Sequence, residues 1–184
     1  MTARESISQP PIEIFDSRTA VGAYGFVVLA AALAAAAGKS LPEVLKAAED
    51  VQKRVNLILT LDTLKYLAKG GRIGKAAHWA GTLLSIKPIL EVPNTAGTIE
   101  PLERVRSRPK AIRRLLEIMQ ERVSEGQRVH VSIDHANVPE EANQFKSQVS
   151  SLFDCTEVYI NDWAPVAGVH CGPGVIGLSF YAGD

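Results

Sequence analysis

Two glycine-rich clusters hold the residue types that could bind an anion. In Lys69-Gly70-Gly71-Arg72-Ile73-Gly74-Lys75 three glycines free the backbone, and the segment runs into a predicted helix over 76–84. The first amides of such a helix, with Arg72 and Lys75, make an anion site. It is not a P-loop, because the glycine–lysine spacing is wrong and no Ser or Thr follows Lys75. A plain glycine helix stop with solvated cations accounts for the same residues. In Val169-His170-Cys171-Gly172-Pro173-Gly174 the proline fixes one turn residue and its flanking glycines allow unusual dihedrals. His170 can hydrogen-bond a carboxylate there, or satisfy a backbone carbonyl in the turn. Cys171 reads as packing, since no base is identifiable beside it.

Other chemistry is weaker. His130, Asp134 and His135 sit at a strand end, as metal ligands or as solvent-facing polar residues. His78-Trp79 reads as helix packing. Arg104, Arg106 and Arg108, followed by Lys110, Arg113 and Arg114, form a basic patch. It is either a solvated helix entry or a docking face for an acidic partner. No aromatic interleaves with these charges, which disfavours single-stranded nucleic acid. Paired catalytic carboxylates, a nucleophile–base pair and a metal set are all missing from the pattern, so the reading is of a chain that is not an enzyme and takes no cofactor.

Several elements must position these residues. Ile12 to Phe15 alternates like a strand. Ala20–Ala37 is 18 uncharged residues, half of them alanine, closed by Gly38. That length touches the lower limit of a membrane span, but alanine inserts weakly and packs well, so a buried helix is expected and no span. Ser40-Leu41-Pro42-Glu43 is a capping box opening an amphipathic helix through Val55. A short helix from an Asp62 cap ends at Gly70-Gly71. Strands follow at 86–92 and 98–106, with Pro88 and Pro101 favouring edges or ends. A helix opens at Pro109, a strand covers 129–133, and Asn137 and Glu140 cap a helix burying Ala142, Phe145, Val149 and Leu152. Strands at 156–160 and 175–181 finish the chain. This is mixed α/β with a largely antiparallel sheet and packed helices.

Composition bounds the partners. With 184 residues, 20 basic and 20 acidic side chains, the formal net charge is zero, giving no bulk attraction to nucleic acid or anionic membrane. Two cysteines make no disulfide scaffold, which fits a reducing, cytoplasmic setting.

In order, Phe15 to Ala20, Leu61 to Leu67, Gly70 to Ala76, Ile86 to Leu90, Glu100 to Arg108 and His170 to Gly174 resemble the DegV family of bacterial fatty acid-binding proteins. The resemblance spans residues 12–181. It implies a carrier that buries one long acyl chain and presents its carboxylate to a partner fatty acid kinase. His170, with Gly172 and Gly174, matches the family's carboxylate-contacting loop. Arg72, with Gly71 and Ile73, matches the segment beside the head group. Arg106, flanked by Arg104 and Arg108, falls where the family has a kinase-docking surface. Leu83, Leu84, Ile86 and Phe180 are expected to line the acyl pocket, from apolar character and proximity. The resemblance also implies that residues 1–55 are the remnant of an N-terminal α/β domain whose upstream part is missing. Residues 56–184 then form the C-terminal domain. The alternative reading is a non-binding assembly module, pairing the exposed apolar surface with a second copy or another chain.

Overall fold

The computed structural model describes residue 6 and residues 10–82 and 86–183. Six strands form one sheet in the order β3-β2-β1-β6-β4-β5: β1 (Asn56–Thr60), β2 (Lys87–Glu91), β3 (Glu100–Val105), β4 (Val129–His135), β5 (Cys155–Asp162) and β6 (Ile176–Ala182). Every neighbouring pair is antiparallel except β4 and β5, which are parallel and joined by helix α5 (Pro139–Leu152). The architecture is the mixed α/β one expected.

Alternation along the strands gives the sheet two buried faces. Ile176, Leu178 and Phe180 of β6 join Ile58, Ile89, Val131 and Ile133 on one face, beneath helix α4 (Arg108–Arg122) and α5. Ala111, Ile112, Leu115 and Met119 line the buried side of α4, and Ala142, Phe145 and Val149 that of α5. Leu152, expected to face inward, is 52% exposed, while Ala142, Phe145 and Val149 of the same helix are buried.

The other face is shared by two clusters. Helix α1 (Val21–Ala36) and helix α2 (Leu41–Gln52) press Ala23, Phe26, Val27, Ala48 and Val51 against Val55, Leu57 and Tyr181. The capping box of α2 forms as its sequence dictates, Ser40 N donating to Glu43 Oε2 at 2.9 Å. Gly38 takes the left-handed conformation that closes α1. Beside this pack lies a second cluster of Leu59, Leu61, Leu64, Leu67, Trp79, Leu90, Trp163 and Val175.

The structure revises five elements. Residues 11–20 have no regular structure and pair with no strand, and Ile14 is 68% exposed. The helix expected to run to Val55 stops at Gln52, because β1 begins at Asn56. The sequence pattern predicts no strand at β1. Its Leu-Ile-Leu run is buried on both faces and so shows no alternation to read. Two further helices differ: α3 (Lys65–Lys69) is capped by Leu64 rather than Asp62, and the segment after Gly74 is a 3₁₀ helix over Gly74–Thr82.

Candidate functional site

The two glycine-rich clusters, far apart in sequence, meet in space. The second is not a loop throughout: Pro165–Cys171 is a helix, α6, with His170 in its last turn. α6 packs against α3. The contact is so close that a Cβ at its crossing points would force a neighbouring side chain to move. A Cβ on Gly70 would stand 2.2 Å from His170 Nδ1, and one on Gly172 would stand 2.3 Å from the Tyr66 ring. A Cβ on Gly174 would stand 2.3 Å from Asp62 Oδ2. Gly172 and Gly174 also have φ of +77° and +83°, a region that L side chains rarely adopt. Pro173 between them shapes the turn, and Gly174 N–H donates to Ala136 O at 2.8 Å, tying the turn to the end of β4.

His170 is half-buried. Its Nδ1 is buried against Gly70 and has no hydrogen-bond partner among the described residues. A buried polar atom without a partner costs about 1–3 kcal/mol, and Nδ1 shares that state with His130 Nε2, His135 Nδ1, Trp163 Nε1, Thr19 Oγ1 and Ser179 Oγ. Arg72 is exposed and donates from Nη1 to Gly70 O at 2.8 Å. Gly71 has φ +68° with open space around its Cα. Ile73 and Ile86 pack on the neighbouring Leu59–Trp163 cluster. Leu83 and Leu84 lie outside the described residues.

Phe180 does not join this group. It is 1% exposed in the core beneath α4 and α5, on the sheet face opposite Leu59 and Val175. The arginines also separate. Arg104 lies over the Trp79 ring at 5.7 Å, and Arg106 is exposed. Arg108 turns inward, its Nε donating to both oxygens of Glu141 at 3.1 and 3.0 Å and its Nη1 to the Gly174 carbonyl. Asp62, which reads from sequence as a helix cap, instead accepts from Lys87 Nζ at 2.7 Å and from Arg108 Nη1 at 3.5 Å.

The remaining titratable groups are held for other purposes. His130 stacks on Tyr181 with ring centroids 4.4 Å apart and pairs with Glu157 at 2.8 Å. Burial pushes the Asp134 carboxyl up to about 6, against hydrogen bonds from Gly22 N–H, Asn161 and Ser132. Burial also pushes the Cys171 thiol up to about 11, which keeps it protonated and unreactive as a nucleophile. Among the described residues no group of three His, Cys, Asp or Glu is placed to hold a metal ion, and no helix is long and apolar enough to cross a membrane. Two cavities open away from His170. One of about 500 Å³ lies between α4 and α5, and one of about 400 Å³ lies between α1 and β5.

The order and meeting of these motifs correspond to a known family. The model of the DegV family, a family of uncharacterised proteins, matches residues 1–183. The chain belongs to the DegV family. Protein DegV of Bacillus subtilis is 36% identical over 165 residues, covering 89% of this chain and 58% of the relative. A DegV domain-containing protein of Streptomyces coelicolor is 37% identical over 172 residues, covering 91% and 59%. The crystal structure of DegV from Bacillus subtilis, a fatty acid binding protein, matches with a TM-score of 0.86 at 32% identity, covering 98% of this chain and 64% of that one. A fatty acid-binding DegV family protein from Thermus thermophilus matches with a TM-score of 0.86 at 28% identity, covering 95% and 62%. The chain thus spans less than two-thirds of these relatives. The family match from residue 1 to residue 183 nonetheless lends no support to the expectation that an upstream part of the family's first domain is missing.

Proposed function

We propose that this chain binds a long-chain fatty acid as a carrier, without chemistry of its own. The observation that carries the reading is the Gly70–His170 contact. It brings the chain's two head-group candidates together, with a buried imidazole nitrogen left unsatisfied. The fatty acid binding of the Bacillus and Thermus relatives supports it. In this reading His170 and the turn at Gly172 and Gly174 take the carboxylate, with Arg72, Gly71 and Ile73 beside it. Ile86, Leu83 and Leu84 meet the acyl chain. Burying that chain supplies about 0.8 kcal/mol per methylene, so the polar residues need only orient the head group. Phe180 serves the reading as core support for the sheet rather than as lining.

Presentation of the carboxylate to a fatty acid kinase in trans is the further step, with the exposed Arg104 and Arg106 as the docking cations and a cytoplasmic setting. Native mass spectrometry of the purified protein, followed by lipid extraction, tests the carrier reading. A stoichiometric fatty acid is expected, and His170→Ala is expected to lower its retention about ten-fold, the value of one charge-assisted hydrogen bond. Delipidated protein that takes up no C16 or C18 acid would overturn it.

A second reading, an assembly module, rests on Tyr24, Val28 and Leu33 of α1, which are 52%, 46% and 62% exposed. Light scattering decides it: a monomer at all concentrations removes the self-association form of that reading.

A further inference from the structure

Arg108 stands at the first position of α4, yet its side chain is only 18% exposed. Three separate parts of the chain converge on it. Glu141 of α5 receives its Nε and Nη2, Gly174 of the turn after α6 offers a carbonyl to Nη1, and Asp62 after β1 lies 3.5 Å from the same nitrogen. Lys87 of β2 donates to the same Asp62 Oδ1 at 2.7 Å. Two cations and two carboxylates therefore balance around one backbone carbonyl. Gly174 is also the residue whose missing side chain lets Asp62 approach.

We propose that Arg108 is a positioning residue for the head-group turn. By gripping Asp62 and the Gly174 carbonyl together, it fixes the His170–Gly174 segment against α3 and so sets where the His170 imidazole stands. The inference rests on the fatty acid-binding reading and deepens it. The geometry explains why a guanidinium is needed. A fork of donors reaches a carboxylate with one edge and a carbonyl with another, which a lysine ammonium on a single stem does not. It also separates Arg108 from Arg104 and Arg106, which meet solvent and Trp79 instead.

Arg108→Lys keeps the charge and removes the fork. The test follows the dissociation of cis-parinaric acid, a fluorescent long-chain acid, together with the ring resonances of His170 by NMR. Asp62→Asn removes the opposite jaw, and Arg113→Ala, an exposed arginine on the same helix, is the control. Dissociation about ten-fold faster in both site variants, with shifted His170 resonances and an unchanged control, is the expected result. A lower melting temperature with His170 resonances and dissociation at wild-type values would show a merely structural role and overturn the proposal. If Arg108→Lys does not fold, Asp62→Asn decides by the same two readouts. If wild-type protein binds no cis-parinaric acid, the carrier reading fails, and the His170 resonances alone then support or overturn the positioning role.

Discussion

Asp134 places a carboxylate beneath the first turn of α1, where Gly22 comes so close that a Cβ there would stand 2.6 Å from Asp134 Oδ2. Its hydrogen bonds are long: 3.2 Å from Gly22 N, 3.3 Å from Ser132 Oγ and 3.4 Å from Asn161 Nδ2. They only partly replace lost hydration, so burial wins and the carboxyl is pushed from 3.8 up to about 6. The folded state therefore holds this proton more tightly than the unfolded chain does. The stability linked to it is full below about pH 4 and is lost as pH rises through about 6, a difference of about 3 kcal/mol. Asp134→Asn keeps the shape and removes the charge. The expected outcome is a gain of about 1–3 kcal/mol in unfolding free energy at pH 7, shrinking toward pH 4. Urea unfolding at several pH values measures it, and a variant whose curve stays parallel to wild type from pH 4 to 7 would refute the assignment.

Between elements, the decisive contact is the one of α3 with α6, and Gly70 probes it cleanly. Its φ of −80° and ψ of −3° suit alanine, so Gly70→Ala adds no backbone strain. The atoms nearest the new methyl are those of the His170 ring and the Tyr66 carbonyl. The expected result is a displaced imidazole and faster loss of bound acyl chain, with stability reduced by about 1–2 kcal/mol from overpacking. Retention at wild-type level would show that the His170 position is immaterial. Both halves of this contact are legible in the sequence as glycine-rich motifs, because glycine beside proline or cations marks a tight turn or a close backbone approach. Their meeting is not, since it depends on α6, a helix of seven residues hidden in what reads as a loop, and on β1. Leu57, Ile58 and Leu59 lie in a strand buried on both sides, so no period-two pattern marks them. The roles of Asp62 and Arg108 are hidden for a related reason. Charged residues near helix starts look like caps and solvated entries until a distant carbonyl, here that of Gly174, is brought to them.

At the scale of the whole molecule, the proposed division between residues 1–55 and 56–184 separates two segments that bury one core. α1 is apolar nearly all round and has no charged face with which to stand alone in water. Its Phe26, 3% exposed, packs edge-on to Tyr181 of β6 at 5.2 Å and to His130 of β4 at 6.3 Å, and Val21 touches both clusters on this sheet face. The tryptophans, Trp79 and Trp163, belong to the neighbouring cluster and report on the sheet. If the helices and the sheet unfold as one unit, Phe26→Ala should cost about 3–5 kcal/mol and lower the helical circular dichroism and tryptophan fluorescence midpoints together. If residues 1–55 were instead a separate cooperative unit, the dichroism midpoint alone would fall while fluorescence held. A coincident shift would make the boundary one of ancestry rather than stability. It would also place the Gly70–His170 contact under the control of α1, since loosening that helix would then loosen the sheet that carries both motifs.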